Sequence, residues 1–144
     1  TSVPISTGER LVTKYEFARV LETGAASILQ PALGRVGGLW EAKKIAAMAE
    51  PYTAQMAPHL YAGPIEAAAN IHLAASIPNF LILESIERFD GPWGAFLKTP
   101  IRWEEGYVIP PTEPGLGIEL DEDRARAHPY TDAELHLEMS TEAP

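Results

Sequence analysis

The sequence contains no cysteine among its 144 residues. A disulfide framework, a thiolate nucleophile and a cysteine-ligated zinc or iron–sulfur site are therefore excluded. Positive charge is also scarce, because 11 Lys and Arg stand against 20 Asp and Glu, for a formal net charge of −9. A nucleic-acid-binding surface needs an excess of cations to neutralise phosphates, so DNA and RNA are poor candidate partners.

Long apolar runs are missing as well. No stretch approaches the ~20 apolar residues of a membrane-spanning helix, and no basic segment followed by an apolar one marks a secretory signal. Together with the lack of cysteine, these absences favour a cytoplasmic protein that does not contact a membrane. The negative charge is concentrated near the end of the chain, and residues 131–144 are predicted to form an acidic, frayed tail.

Short apolar runs alternate with helical patterns over the first 84 residues, and 46% hydrophobic residues are enough to bury one core. The apolar runs predict four strands, at Val3–Ser6, Ser27–Gln30, Ala54–Ala57 and Phe80–Leu83. The segments between them predict three helices, from Lys14 to about Thr23, from Leu39 to Glu50 and from Pro64 to about Ile77. Thr13 and Glu16 have the spacing of a capping box at the start of the first helix.

This alternation indicates an α/β fold with parallel strands joined by right-handed crossovers. Apolar strands that do not alternate in polarity are usually buried on both faces. The sheet is then either doubly wound or part of a (β/α)₈ barrel. We divide the chain into an α/β unit (residues 1–88), an annex (residues 89–130) and the acidic tail. The annex is irregular or a small antiparallel sheet, with β-like runs at Ile101–Trp103 and Tyr107–Ile109.

Ionisable residues stand at three of the four predicted strand ends. The ends are Glu9, Ala32, His59 and Glu84, and ligands of parallel α/β folds lie beyond the carboxyl ends of the strands. A carboxylate there can supply an oxygen ligand for a hard cation such as Mg²⁺. The imidazole can act as a base near neutral pH, and the second carboxylate as an acid or hydrogen-bonding group.

Each of these residues also has a purely structural interpretation. Glu9 precedes a helix, where a negative charge is favourable with the helix dipole. His59 follows Pro58 and can be a capped loop histidine, while Glu84 can pair with Arg88 at the i+4 position.

The remaining histidines and the glycine-rich loop carry weaker signals. Residues 34–38 lack both the P-loop ending and the dinucleotide fingerprint, so a tight strand-to-helix turn is predicted there. His72 shares a helical face with small residues and is expected to be packed or capped. His128 and His136 lack the spacing of metal ligands.

Several motifs follow one another at consistent spacing. They are Ile5–Glu9, Leu29–Pro31, Gly37–Gly38 with Glu41–Ala46, Ala57–His59, Gly63–Ile65, Pro78–Glu84 and Pro114–Ile118. In this order they resemble the C-terminal part of the mandelate racemase and muconate lactonizing branch of the enolase superfamily, most closely its acid-sugar dehydratases of the galactonate type. The resemblance covers residues 1 to about 130.

The resemblance implies a Mg²⁺-assisted abstraction of the proton α to a carboxylate, followed by dehydration or racemisation. Glu9 matches the last of the three metal-binding carboxylates, and His59 matches the histidine that acts as base or acid. Glu84 matches the late strand-end glutamate that hydrogen-bonds the substrate carboxylate or the enediolate. The substrate is then a small sugar acid.

Two positions depart from the pattern. Ala32 stands where the dehydratases carry an Asp that orients the histidine, and Gly34-Arg35 replaces their Ser-His. Without that Asp, His59 lacks a partner that would fix its tautomer. Arg35 is a candidate for binding an anionic group of the substrate.

The chain is also short for this fold. A complete (β/α)₈ barrel needs about 250 residues, and the family carries its first two metal carboxylates and a lysine on earlier strands. We therefore expect residues 1–88 to be the last strands and helices of a barrel, and the annex to pack toward a capping domain. The partner is an N-terminal remainder or another chain, and a homo-oligomer is expected. Alternatives are a racemase or cycloisomerase of the same superfamily, and a non-catalytic scaffold.

Overall fold

A computed structural model describes residues 2–85 and 94–129. Within these ranges the α/β unit holds three short strands, four α-helices and a 3-10 turn at Glu50–Tyr52, and the annex holds a 3-10 turn at Gly94–Phe96, a hairpin and a final α-helix. In chain order the elements are β1 (Ser6–Thr7), α1 (Lys14–Glu22), β2 (Ile28–Leu29), α2 (Leu33–Val36), α3 (Leu39–Ala49), β3 (Gln55–Met56), α4 (Pro64–Ser76), β4 (Arg102–Glu104), β5 (Tyr107–Ile109) and α5 (Glu122–Ala127).

The three strands of the α/β unit form a parallel sheet in the order β1-β2-β3. The register places Thr7 opposite Leu29 and Leu29 opposite Met56. The fourth predicted strand is reduced to one parallel bridge between Met56 and Phe80, where the Leu81 N–H donates to the Met56 carbonyl at 2.8 Å. The α/β class is confirmed. Over the described residues the sheet is open and does not close into a barrel.

The capping box predicted at the start of α1 is confirmed. The Glu16 carboxylate accepts hydrogen bonds from the backbone N–H groups of Val12 and Thr13, at 3.0 and 2.8 Å, and from the Thr13 hydroxyl at 3.0 Å. These donors hold the pKa of Glu16 below its ordinary value. The helix therefore begins where the sequence pattern predicts, and the N–H groups of Val12 and Thr13 just before it are satisfied.

The glycine-rich loop contains a helix that the sequence reasoning did not predict. The simple turn expected over residues 34–38 is wrong, because Leu33–Val36 form one helical turn that ends at Gly37 with φ 100°. Leu33 and Val36 are both buried, so the turn anchors itself in the core. A left-handed residue ends helices readily when it is glycine.

The core of the α/β unit lies between the sheet and the helices. Phe17, Leu29 and Met56 are fully buried at its centre. Further residues of this cluster come from α1, α2, α3, α4 and the loops beside them: Leu21, Leu33, Val36, Ala42, Ile45, Ala46, Ala49, Ala54, Leu73 and Ile77. This burial fixes the positions of the strand ends.

Some apolar residues near the sheet are exposed, contrary to the expectation that both faces are buried. Ile5 beside β1 is 45% exposed, and Leu81 and Ile82 after the Phe80 bridge are 43% and 61% exposed. These residues lie at the two outer positions of the sheet, where the described part of the chain supplies no further strand to cover them.

The annex packs against α4 through a second, smaller cluster. Its buried residues are Leu60, Ala67, Ile71, Leu97 and Ile101. Strands β4 and β5 form an antiparallel hairpin with Arg102 opposite Ile109, in agreement with the β-like runs predicted there.

The short helix α5 was not predicted, because it has no apolar stripe. The Asp121 carboxylate accepts from the Arg124 N–H at 2.9 Å and caps its first turn. None of the helices in the described ranges combines the length and the hydrophobicity that a membrane crossing requires. The predicted acidic tail, Arg88 and His136 lie outside the described residues.

Candidate active site

Three side chains singled out at strand ends meet at one edge of the sheet. Ala32 and His59 form a parallel bridge just beyond β2 and β3. The backbone N–H of His59 donates to the Pro31 carbonyl at 3.1 Å. His59 Nδ1 lies 2.6 Å from Glu84 Oε2 and 3.6 Å from Glu9 Oε2. We call Glu9, His59 and Glu84 the strand-end rim.

Glu84 makes the closest contact in the rim. Its Oε2 atom lies 2.6 Å from the Nδ1 atom of His59 and accepts a hydrogen bond from the backbone N–H of Leu60 at 3.2 Å. The His59 side chain is mostly buried, at 19% exposure, whereas the Glu84 side chain is 39% exposed. One oxygen of Glu84 therefore connects the segment after Phe80 to the loop that follows β3.

Glu9 owes its place to the glycine before it. Gly8 has φ 136°, and a Cβ there would lie 2.6 Å from Phe17 Cε1 and 3.1 Å from the Gln30 nitrogen. Only glycine fits this sharp turn against a buried ring. The chain then leaves the core, and the Glu9 side chain is 56% exposed at the edge of the sheet.

A cleft of about 620 Å³ opens beside the rim. Described residues that line it include Glu9, Arg10, Ala32, Gly34, Arg35, His59, Tyr61, Ala62 and Glu66. Arg35, a candidate for substrate binding, is exposed on α2 and borders this cleft with Glu9 and His59. The cleft thus joins a carboxylate, an imidazole and a guanidinium.

Sequence reasoning missed Arg10, Tyr61 and Glu66 as cleft residues. The Glu66 carboxylate accepts from the Gly34 N–H at 3.1 Å and so ties α4 to α2. A usable signal was available for Glu66, since it stands in the first turn of the helix that follows the His59 strand end. Helices in parallel α/β folds begin on the same side as the strands' carboxyl ends.

The other two described histidines lie away from the cleft. His72 Nε2 is 3.0 Å from the Leu116 carbonyl and connects α4 to the annex, so its expected packing role is confirmed. His128 Nδ1 lies 2.9 Å from the Arg124 carbonyl in α5. The candidate site therefore uses His59 alone among these three histidines.

The rim combines groups capable of acid–base chemistry with the nearby guanidinium of Arg35. An imidazole hydrogen-bonded to a carboxylate is a common proton acceptor and donor in enzymes. No group of three or more His, Asp or Glu side chains that could hold a metal occurs within residues 2–85 and 94–129. Glu9 supplies one hard oxygen donor of the kind that Mg²⁺ prefers.

Comparison with known proteins gives consistent matches over this chain. The family described as Enolase C-terminal domain-like matches residues 1–124. The D-galactonate dehydratases of Cronobacter sakazakii and Ralstonia pickettii are 42% identical over 133 residues and 41% identical over 150 residues. These alignments cover 88% and 100% of this chain, and 35% and 36% of the two enzymes.

A solved structure agrees with these relatives. The mandelate racemase/muconate lactonizing enzyme from Sulfitobacter sp. is 64% identical, with a TM-score of 0.88, over 100% of this chain and 36% of that chain. The chain therefore spans about a third of the length of the relatives that it matches.

Proposed function

The chain belongs to the Enolase C-terminal domain-like family of the enolase superfamily, and from this premise we propose that it is the C-terminal catalytic segment of a lyase that dehydrates a sugar acid. The convergence of Glu9, His59 and Glu84 at one edge of the sheet carries the proposal. Relatives named D-galactonate dehydratase, about 40% identical, support the substrate class.

The proposed architecture is the last part of a (β/α) barrel. The strands are parallel and adjacent in sequence order, with the Phe80 bridge next to β3, whereas a doubly wound sheet reverses its order. Exposed Ile5 and Ile82 mark the two outer positions where further strands would pair. An N-terminal remainder or another chain would supply them, since a full barrel needs about 250 residues.

The metal of the proposed reaction would be Mg²⁺, held in part by Glu9. The fit is partial, because this carboxylate is one exposed oxygen donor and the described residues hold no complete ligand set. The other ligands would come from the strands outside this chain. Bound there, Mg²⁺ would place positive charge beside the substrate carboxylate and make the α proton more acidic.

His59 would carry the proton transfer. Its ring borders the cleft and would take the proton from the substrate carbon α to the carboxylate, then give a proton to the hydroxyl leaving as water from the β carbon. Arg35, on the same cleft, would bind an anionic group of the substrate and orient the chain of carbon atoms. The mostly buried position of His59 would limit competition from water.

The test is turnover by the complete protein that carries this chain. His59→Asn removes the proton acceptor and is expected to lower kcat on a panel of sugar acids by about 10²- to 10⁴-fold. His128→Asn, the matched change in the annex, is expected to leave kcat unchanged. Unchanged turnover in His59→Asn would overturn the proposal.

The products identify the type of reaction. A 2-keto acid formed with loss of water supports the dehydratase. An inverted stereocentre or a lactone would instead identify a racemase or a cycloisomerase on the same rim.

A further inference from the structure

Position 32 lacks the carboxylate that was expected to orient His59. The Nδ1 atom of His59 nevertheless contacts another carboxylate, that of Glu84. Ala32 pairs directly with His59 in the parallel bridge, and its methyl group cannot accept a hydrogen bond. Glu84 Oε2 lies 2.6 Å from His59 Nδ1. Ala32 follows β2, on one side of β3, whereas the Glu84 carboxylate comes from the segment after Phe80, on the opposite side of β3.

The chemistry of the two groups decides where the proton is. An ionised carboxylate only accepts hydrogen bonds, so a 2.6 Å contact with Nδ1 requires the proton on that nitrogen. Glu9 Oε2, at 3.6 Å, is too distant for a hydrogen bond to the same atom. In the neutral ring, Nε2 then carries the lone pair.

A second donor holds the Glu84 oxygen in place. The Leu60 N–H donates to the same Oε2 at 3.2 Å. Leu60 is almost fully buried and directly follows the histidine, so the backbone there cannot shift without moving the ring.

We propose that Glu84 is the positioning residue of His59, replacing from the following segment the carboxylate that Ala32 cannot supply. It fixes the Nδ1-protonated tautomer and leaves Nε2 free to accept a proton. The catalytic meaning of this contact rests on the proposed function, but the tautomer itself does not. This role differs from the sequence interpretation of Glu84 as a group that hydrogen-bonds the substrate, because Glu84 would act through His59.

The experiment measures the tautomer of His59 by ¹⁵N NMR, using ring-labelled histidine in the complete protein that carries this chain. Two-bond proton–nitrogen correlations distinguish a protonated Nδ1 from a protonated Nε2. We expect Nδ1–H in the wild type and a shift toward Nε2–H in Glu84→Ala. Glu66→Ala is the matched control, because its carboxylate lines the same cleft but bonds to Gly34, and it is expected to leave the tautomer unchanged.

A rescue separates positioning from contact with the substrate. Ala32→Asp in the Glu84→Ala background returns a carboxylate to the residue paired with His59, so Nδ1–H is expected to return. With activity as a second readout, Glu84→Ala is expected to lower kcat about 10- to 100-fold with little change in KM, and the double variant to regain most of it.

Two results would overturn the proposal. One is Nε2–H in the wild type, which decides the matter even where Glu84→Ala does not fold. The other is an unchanged tautomer in a folded Glu84→Ala protein. A shifted and rescued tautomer in a protein that has no lyase activity would support the positioning role while removing the proposed function.

Discussion

The α/β unit and the annex are built in different ways. In the α/β unit, residues from four helices and from strands β2 and β3 meet in one large buried cluster around Phe17, Leu29 and Met56. The annex contributes a hairpin and shares a small cluster with α4, and its ion pair between Lys98 and Glu119 is exposed. All three rim residues belong to the α/β unit. Its buried contacts therefore position the candidate chemistry, and the annex covers one face of α4.

The largest effect is expected from the centre of the α/β unit. Phe17→Ala empties a fully buried site and should lower the free energy of unfolding by about 3–5 kcal/mol. Leu97→Ala, the corresponding change in the annex cluster, should cost about 2 kcal/mol, because the smaller cluster relaxes more easily. Urea unfolding of both variants measures the difference. An equal or larger loss in Leu97→Ala would show that the annex cluster contributes as much to stability as the core of the α/β unit.

The next effect concerns the turn that presents Glu9. Gly8→Ala combines a positive φ with a Cβ 2.6 Å from the Phe17 ring, so strain and overpacking together should cost about 2–4 kcal/mol. Gly24→Ala is a control with positive φ, 62°, and nothing within 4 Å of the added Cβ, and about 1 kcal/mol is expected there. Thermal unfolding compares the two. Similar losses would show that the contact with Phe17 is unimportant.

A smaller effect is expected where the two regions are joined. His72→Phe keeps a ring but removes the hydrogen bond to the Leu116 carbonyl, at a cost of about 1 kcal/mol. Hydrogen exchange should accelerate at the annex amides of Lys98 and Asp121, and remain unchanged at Met56 in the sheet. Faster exchange at Met56 would show that the annex and the sheet open as one unit.

The smallest effect is a pH dependence at the start of α1. Because the N–H groups of Val12 and Thr13 lower the pKa of Glu16 in the folded state, the contact stabilises the protein above the ordinary value of 4.5. That contribution is lost as the pH falls through the lowered pKa. Glu16→Gln should flatten this part of the acid unfolding curve, whereas Glu22→Gln, at the other end of α1, should leave it in place. Identical curves for the wild type and Glu16→Gln would contradict the assignment.

Much of the α/β unit could be predicted from the sequence. Helix α1 is marked by its capping residues, Thr13 and Glu16, which need only local spacing. The meeting of Glu9, His59 and Glu84 follows from a single rule, that the carboxyl ends of adjacent parallel strands share one edge.

Other features depend on contacts between distant residues and could not be predicted. Helix α2 is too short to show a period and is held by the buried side chains of Leu33 and Val36 and by Glu66. The bond between Glu84 and His59 depends on how the segment after Phe80 sits beside β3. From sequence spacing alone, Arg88 was an equally available partner for Glu84.

The most direct test of the central claim, that the strand-end rim is a lyase site, is a crystal structure of the complete protein with Mg²⁺ and an unreactive sugar-acid analogue. We predict Glu9 on the metal, the His59 ring facing the carbon α to the analogue's carboxylate, and Glu84 still bonded to Nδ1. An analogue bound elsewhere, or one that His59 does not face, would contradict it.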